Sequence, residues 1–171
     1  MIVEGNTIHK AYLALGTNLG DKNKNLQTAL ALIAEKTGVF SAISSVYETK
    51  AWGFESENSF LNMVVAINTS LHPLELLKTT QDIEREIGRT EKTNHTYQDR
   101  IIDIDIILYD NLIYESEKLK LPHPLFHLRQ FVLEPLNEIG ANLIHPILQQ
   151  EIHALWKELT LTQRKNSDLE S

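Results

Sequence analysis

The chain contains no cysteine. That excludes disulfides, thiolate metal sites and a cysteine nucleophile. No apolar run reaches roughly 18 residues, so no membrane-spanning helix is expected. Residues 1–10 carry Glu4 and His9 and lack the apolar block of a signal peptide. A cytoplasmic protein is the expectation, with no membrane partner. Positive charge is also scarce. The net charge is −7, and arginine occurs only at Arg85, Arg89, Arg100, Arg129 and Arg164. Duplex-binding proteins carry basic patches because phosphate neutralisation dominates their affinity. No dense basic run exists here, so nucleic acid is not an expected partner. An acidic chain that gathers its few arginines at one place can still bind a small polyphosphate whose charge magnesium screens. Internal repeats and long linkers are absent as well. The 171 residues, 42% hydrophobic and 23% charged, fit one globular domain with a real core. A monomer is the expectation.

Apolar spacing gives the elements. Residues 8–15 read as a strand running into a Gly16-Thr17-Asn18 turn. Residues 22–36 have helical spacing at Leu26, Ala29, Leu30 and Ile33, with Asp21 as cap and Gly38 past the end. Residues 39–48 read as a strand, 49–59 as a polar loop and 60–69 as a strand. A second helix begins near Pro73, carries Leu76, Thr80, Ile83 and Ile87 on one stripe, and stops at Gly88. A polar loop, 89–99, precedes a strand at 101–109. A hairpin at Asp110-Asn111 is expected to return through Leu112 to Leu121. Helices are expected at 126–138 and 149–159, and residues 160–171 read as a loose tail. The order β-α-β-β-α-β points to a ferredoxin-like α+β sheet with helices packed on one face and a C-terminal extension.

The strongest chemical signal is Ile102-Asp103-Ile104-Asp105-Ile106-Ile107. On a strand, residues i and i+2 share a face, so Asp103 and Asp105 project together, with Cα atoms roughly 6–7 Å apart. Ile102, Ile104 and Ile106 take the opposite face. Adjacent like charges repel, and the pair alone adds nothing to stability. A divalent cation would offset the repulsion. Oxygen donors without cysteine favour magnesium or manganese. The alternative is an edge strand with one solvated face. Arg100 just upstream and Arg89 after Gly88 favour the metal, because phosphoryl transfer relies on metal and guanidinium charge. Gln81 and Glu84 lie three apart on the second helix, so they share a face that can meet a ligand.

Other features weigh less. The segment from Gly16 to Lys22 fails the spacing of a Walker A loop and reads as a tight turn into a capped helix. His123, His127 and His145 are poorly spaced for zinc, and His123 reads better as a donor to a phosphate. Phe60 and Phe131 read as core residues from composition alone. Asn62 stands out in an apolar strand, because a buried amide needs partners that a ligand can supply.

Several segments together resemble the 6-hydroxymethyl-7,8-dihydropterin pyrophosphokinase family. They are ALGTNLGD at 14–21, SSVYET at 44–49, FLN at 60–62 and QDIEREIGR at 81–89. DRIIDIDIILYD at 99–110, LPHPLFHLRQFVLEPLNEI at 121–139 and HP at 145–146 follow in order. The resemblance implies pyrophosphate transfer from ATP to the pterin alcohol, giving the pterin diphosphate and AMP. It implies two magnesium ions on Asp103 and Asp105. It implies ATP contacts at Gln81, Glu84, Arg89, Arg100, Ile106, His123 and Arg129. It implies a pterin ring between Phe60 and Phe131, held at its edge by Asn62 and near Thr49 and Trp52.

This chain departs from the family pattern at a few places. Ala51 and Trp52 stand where proline and another residue are usual, and Glu91 replaces a frequent basic residue. Tyr97-Gln98-Asp99-Arg100 stands where Trp-Gly-Pro-Arg is common. These changes bear on how the loops close on ATP, and loop 89–99 is expected to be mobile without ligand. The competing readings are a nucleotidyl transferase or nuclease using the same aspartates, and a non-catalytic ligand-binding module. The matched region leaves no room for a second catalytic domain, so one domain spanning 1–171 is expected.

Overall fold

A computed structural model of the protein describes residues 7–50, 59–88 and 101–170. Its central strand is β1 (His9–Thr17), which pairs antiparallel with β4 (Phe60–Thr69) on one side and β5 (Asp103–Tyr109) on the other. Beyond β4 lie β2 (Val39–Ile43) and the short β3 (Tyr47–Thr49), both antiparallel to it. The order β2-β4-β1-β5 is that of a ferredoxin-like α+β sheet. Helices α1 (Lys22–Lys36) and α2 (Pro73–Gly88) cross over one face. Leu13, Leu15, Val65, Ile67, Ile104 and Ile106 meet Leu26, Ile33, Leu76 and Ile83 there. The helix stripes expected from spacing are the buried ones, apart from Leu30, which is partly buried. The Asp21 side chain caps α1 by accepting from the Lys24 N–H at 3.2 Å.

The other face is covered too. Tyr12, Val64, Ala66, Ile107 and Leu108 pack under α3 (Gln130–Gly140) and α4 (Ile152–Glu170). The expected single helix over 126–138 is two pieces, a 3₁₀ turn at Phe126–Leu128 and then α3. Arg129 breaks it, with extended backbone at φ −111° and ψ 105°.

Four further expectations are corrected. The strand over 39–48 splits at Ser44, whose Oγ accepts the Val64 N–H while its own N–H donates to the Val64 carbonyl. A side chain thus takes a backbone acceptor's place, and the ladder breaks. The hairpin after β5 does not return along it. Asp110 turns at φ 48° and ties itself to β1 through the Lys10 N–H and carbonyl. The chain is diverted, and β6 (Tyr114–Glu115) and β7 (Lys120–Leu121) pair only with each other. The loose tail is instead the outer part of α4, helical to Glu170. Residues 152–170 hold no glycine or proline, so the helix seeded by Leu155, Trp156 and Leu159 continues into solvent. β1 also runs on through Gly16 and Thr17, where a turn was expected.

Candidate active site

Strand register builds the site. Gly16 on β1 stands opposite Asn62 of β4 on one side and Asp103 of β5 on the other. Ala14 stands likewise between Val64 and Asp105. Directly opposed residues share a face. Val64 packs under α3, so both rows lie on the α3 side of the sheet. The rows read Asn62–Gly16–Asp103 and Val64–Ala14–Asp105. With strands about 4.8 Å apart, Asn62 and Asp103 are about 10 Å apart at Cα. Only a hydrogen atom and a methyl group project between the two sides, which leaves a flat floor.

A register shift between Tyr12 and Leu13 isolates the carboxylates. Beyond it Ile107 and Leu108 both pack toward α3, while Ile104 and Ile106 pack toward α1 and α2. Asp103 and Asp105 are both half-buried on one face at the start of β5. Their donor set is hard oxygen only. Among the described residues no three His, Asp or Glu side chains gather as a metal centre. Hard oxygen donors suit magnesium, which binds through one or two carboxylates and keeps water and phosphate oxygens as its other ligands.

A cleft of about 390 Å³ opens beside β5. Its walls include Leu77 and Gln81 of α2, Ile104, Asp105 and Ile106 of β5, and His123. Gln81, Asp105, Ile106 and His123, singled out from the sequence, are therefore brought together. Glu84 lies three residues along α2 from Gln81 and is half-buried, outside the cleft lining. The β6–β7 ribbon adds Ser116, Glu117, Lys118 and Lys120 to the cleft wall. Sequence reasoning missed these, because 112–121 read as an arm of β5.

His123 is anchored by its backbone N–H, which donates to the Ile107 carbonyl at 3.0 Å. Its Nδ1 accepts the Leu125 N–H at 3.3 Å. A neutral imidazole whose Nδ1 accepts carries its proton on Nε2, a donor. Burial first, and then the Arg129 charge, hold the His123 pKa below the ordinary value, while Asp103 pulls it the other way. The ring is thus kept neutral. Arg129 is half-buried at the entrance of α3, with its guanidinium carbon 5.8 Å from the centre of the Phe131 ring.

Asn62 is buried, and its Nδ2 donates to the Thr49 Oγ at 2.8 Å. Thr49 pairs with Phe60, and Tyr47 with Asn62. Phe60 is half-buried, and Phe131 is 38% exposed, which is not the environment of two core residues. His145 is buried and its Nδ1 accepts from the Ile147 and Leu148 N–H groups, so it serves a turn. Trp52, Arg89 and Arg100 lie outside the described residues, as do Ala51, Glu91, 97–99 and loop 89–99. Gly16 was not singled out from the sequence. A glycine within a strand is a sign of close approach, but here it read as part of a turn.

Solved structures share this ferredoxin-like fold. The chain superposes on a Plasmodium falciparum HPPK-DHPS crystallised with pterin and p-hydroxybenzoate, with a TM-score of 0.76 and 19% identity. That match covers 96% of this chain and 45% of the other. A second HPPK-DHPS, in complex with substrates, gives a TM-score of 0.73 at 17% identity over 93% of this chain and 45% of that one. The chain therefore spans under half of those proteins. The sequence narrows the class to one family. The profile of 7,8-dihydro-6-hydroxymethylpterin-pyrophosphokinase (HPPK) matches residues 12–141, and the chain belongs to that family. It is 47% identical to a 2-amino-4-hydroxy-6-hydroxymethyldihydropteridine pyrophosphokinase of Porphyromonas gingivalis, over 79% of this chain and 92% of the relative. Relatives of the same name from Aquifex aeolicus and Bacillus subtilis are 42% and 46% identical. They cover 88% and 75% of this chain, and 92% and 77% of their own lengths.

Proposed function

We propose that the chain transfers pyrophosphate from ATP to 6-hydroxymethyl-7,8-dihydropterin in folate biosynthesis. The hydroxymethyl oxygen bonds to the β-phosphorus, the bond from that phosphorus to the α–β bridging oxygen breaks, and AMP leaves. The hydroxyl proton is lost to the surroundings. The observation that carries this reading is the row Asn62–Gly16–Asp103, with the β5 cleft beside it. It puts an amide for a heterocycle edge and a carboxylate pair for a metallotriphosphate on one floor.

The roles divide along that floor. Asn62 offers hydrogen bonds to the pterin edge, with Thr49 orienting its amide. Phe60 and Phe131 supply stacking faces for a flat ring, and Trp52 completes that side. Gln81, Glu84, Ile106, His123 and Arg129 bind ATP. His123 donates from Nε2 to a phosphate, and Arg129 offers a planar fork of donors. Asp103 and Asp105 would hold magnesium, two ions in this reading. The metal supplies charge neutralisation on the phosphates and polarises the transferring group. Arg89 and Arg100, named by the family resemblance, would add positive charge against the phosphates. No helix among the described residues is long and apolar enough to cross a membrane. A cytoplasmic monomer completes the proposal.

The test mixes purified protein with ATP, magnesium and the pterin, and follows AMP by chromatography. AMP that appears only with pterin and magnesium together is the expected result. ADP, or no nucleotide product, would reject the reaction.

A further inference from the structure

The pterin side of the floor depends on a strand of three residues. Among the described residues β3 pairs with β4 from Tyr47 to Thr49. Its Thr49 is the residue that accepts from the Asn62 amide. Pairing this short is a weak hold by itself. A second hold comes from across the site. Glu138 of α3 accepts the Ser45 N–H at 2.8 Å and the Ser45 hydroxyl at 3.2 Å, and it also accepts the Tyr47 hydroxyl. The Tyr47 hydrogen bond, and then the Ser45 groups, hold the Glu138 carboxyl below its ordinary pKa. The same bond is the largest cause that pushes the Tyr47 phenol up to about 12. The carboxylate is charged and the phenol is a donor through the neutral range, which makes the bond charge-assisted.

Glu138 also has a particular place on its helix. It lies seven residues after Phe131, two turns along the same face of α3. The carboxylate therefore fastens β3, with Thr49, to the helix face that presents Phe131. We propose that Glu138 is a positioning residue that sets the gap between the Thr49–Asn62 pair and Phe131, and so the fit of the pterin ring. This inference rests on the pterin reading of Asn62 and Phe131. Glu138 touches no substrate in it. The ATP cleft has none of Ser45, Tyr47 or Glu138 in its lining. Loss of the clasp should act on one substrate alone.

The experiment measures kcat and both KM values for the full chain and for Glu138→Ala, Glu138→Gln and Tyr47→Phe, with thermal midpoints alongside. Glu138→Ala is expected to raise the pterin KM about tenfold, the effect of one lost charge-assisted contact on ground-state fit. The ATP KM is expected to stay within about twofold. Glu138→Gln keeps an acceptor and is expected to recover most of the loss. Tyr47→Phe keeps the Ser45 bonds and is expected to fall between, and it carries the test if Glu138→Ala does not fold. An active wild type with an unchanged pterin KM in Glu138→Ala, or in Tyr47→Phe where Glu138→Ala does not fold, overturns the inference alone. Equal rises in both KM values, or a lowered midpoint with normal kinetics, overturn it as well. A wild type that makes no AMP overturns the pterin reading and this inference with it.

Discussion

In the proposed reading, single residues divide the floor into two chemistries. Gly16 separates them, and its backbone is not left-handed, so conformational freedom is not the reason for a glycine there. The reason is space. A Cβ added at Gly16 would stand 3.3 Å from the Asn62 Oδ1. That contact is tighter than usual, so the Asn62 amide must give by a few tenths of an ångström. Gly16→Ala is expected to raise the pterin KM about tenfold and to leave the fold and the ATP KM nearly unchanged, a split that steady-state kinetics reads directly. On the other side, Asp103 and Asp105 stand on one face of β5 at i and i+2, where like charges repel. Asp103→Ala or Asp105→Ala is expected to lower kcat by at least about a hundredfold, the scale of losing a charge partner at the transferring group. A variant that keeps normal turnover and normal magnesium dependence would remove the carboxylate from the site.

At the scale of elements, what the sequence made legible depended on how local the cause was. β4, α1 and α2 match their expected spans, because period-2 and period-3.6 patterns and their caps are local signals. The β-α-β-β-α-β order carried the sheet topology. The misread segments each turn on a distant partner. Ser44 breaks its strand through Val64, twenty residues away, and Asp110 diverts the β5 exit through Lys10, a hundred residues away. The outer part of α4 was misread for another reason, since helix propagation past a packed segment leaves no apolar periodicity to find. The carboxylate pair was legible because i and i+2 on one strand is a local rule. The Asn62–Gly16–Asp103 row was not, because it needs the register of three strands. One long-range contact of this kind can be weighed. A Cβ at Gly38, between α1 and β2, would come 2.0 Å from the Asn68 carbonyl oxygen of β4. Backbone cannot yield as a side chain can. Gly38→Ala is expected to cost at least about 2 kcal/mol in urea unfolding, with kinetics of the folded fraction unchanged.

At the scale of the whole molecule, hydrogen bonds tie the two helices of the C-terminal layer to each other. Glu134 of α3 accepts from the Gln130 Nε2 at 2.6 Å and from the Trp156 Nε1 of α4 at 2.8 Å. The chain between those helices turns on His145, which stacks on Phe126 and lies edge-on to His127. Its Nδ1 can accept two backbone N–H groups only while that nitrogen is unprotonated. Burial first, and then the His127 charge, lower the His145 pKa from its ordinary 6.5. The unfolded chain binds the proton more readily than the folded one, so stability rises with pH between the two pKa values. The contribution of His145 is complete above about 6.5 and is lost as pH falls below it, by at most about 1.4 kcal/mol per pH unit. His123 is shifted in the same direction and adds to the slope. His145→Asn separates the two, because an asparagine oxygen can accept the same N–H groups and does not titrate. Urea unfolding at pH 7.5, 6.5 and 5.5 is expected to give a flatter slope for His145→Asn, with the His123 share remaining. Parallel slopes for the two proteins would show that His145 loses nothing on protonation, and the acid sensitivity of the fold would then belong to other groups.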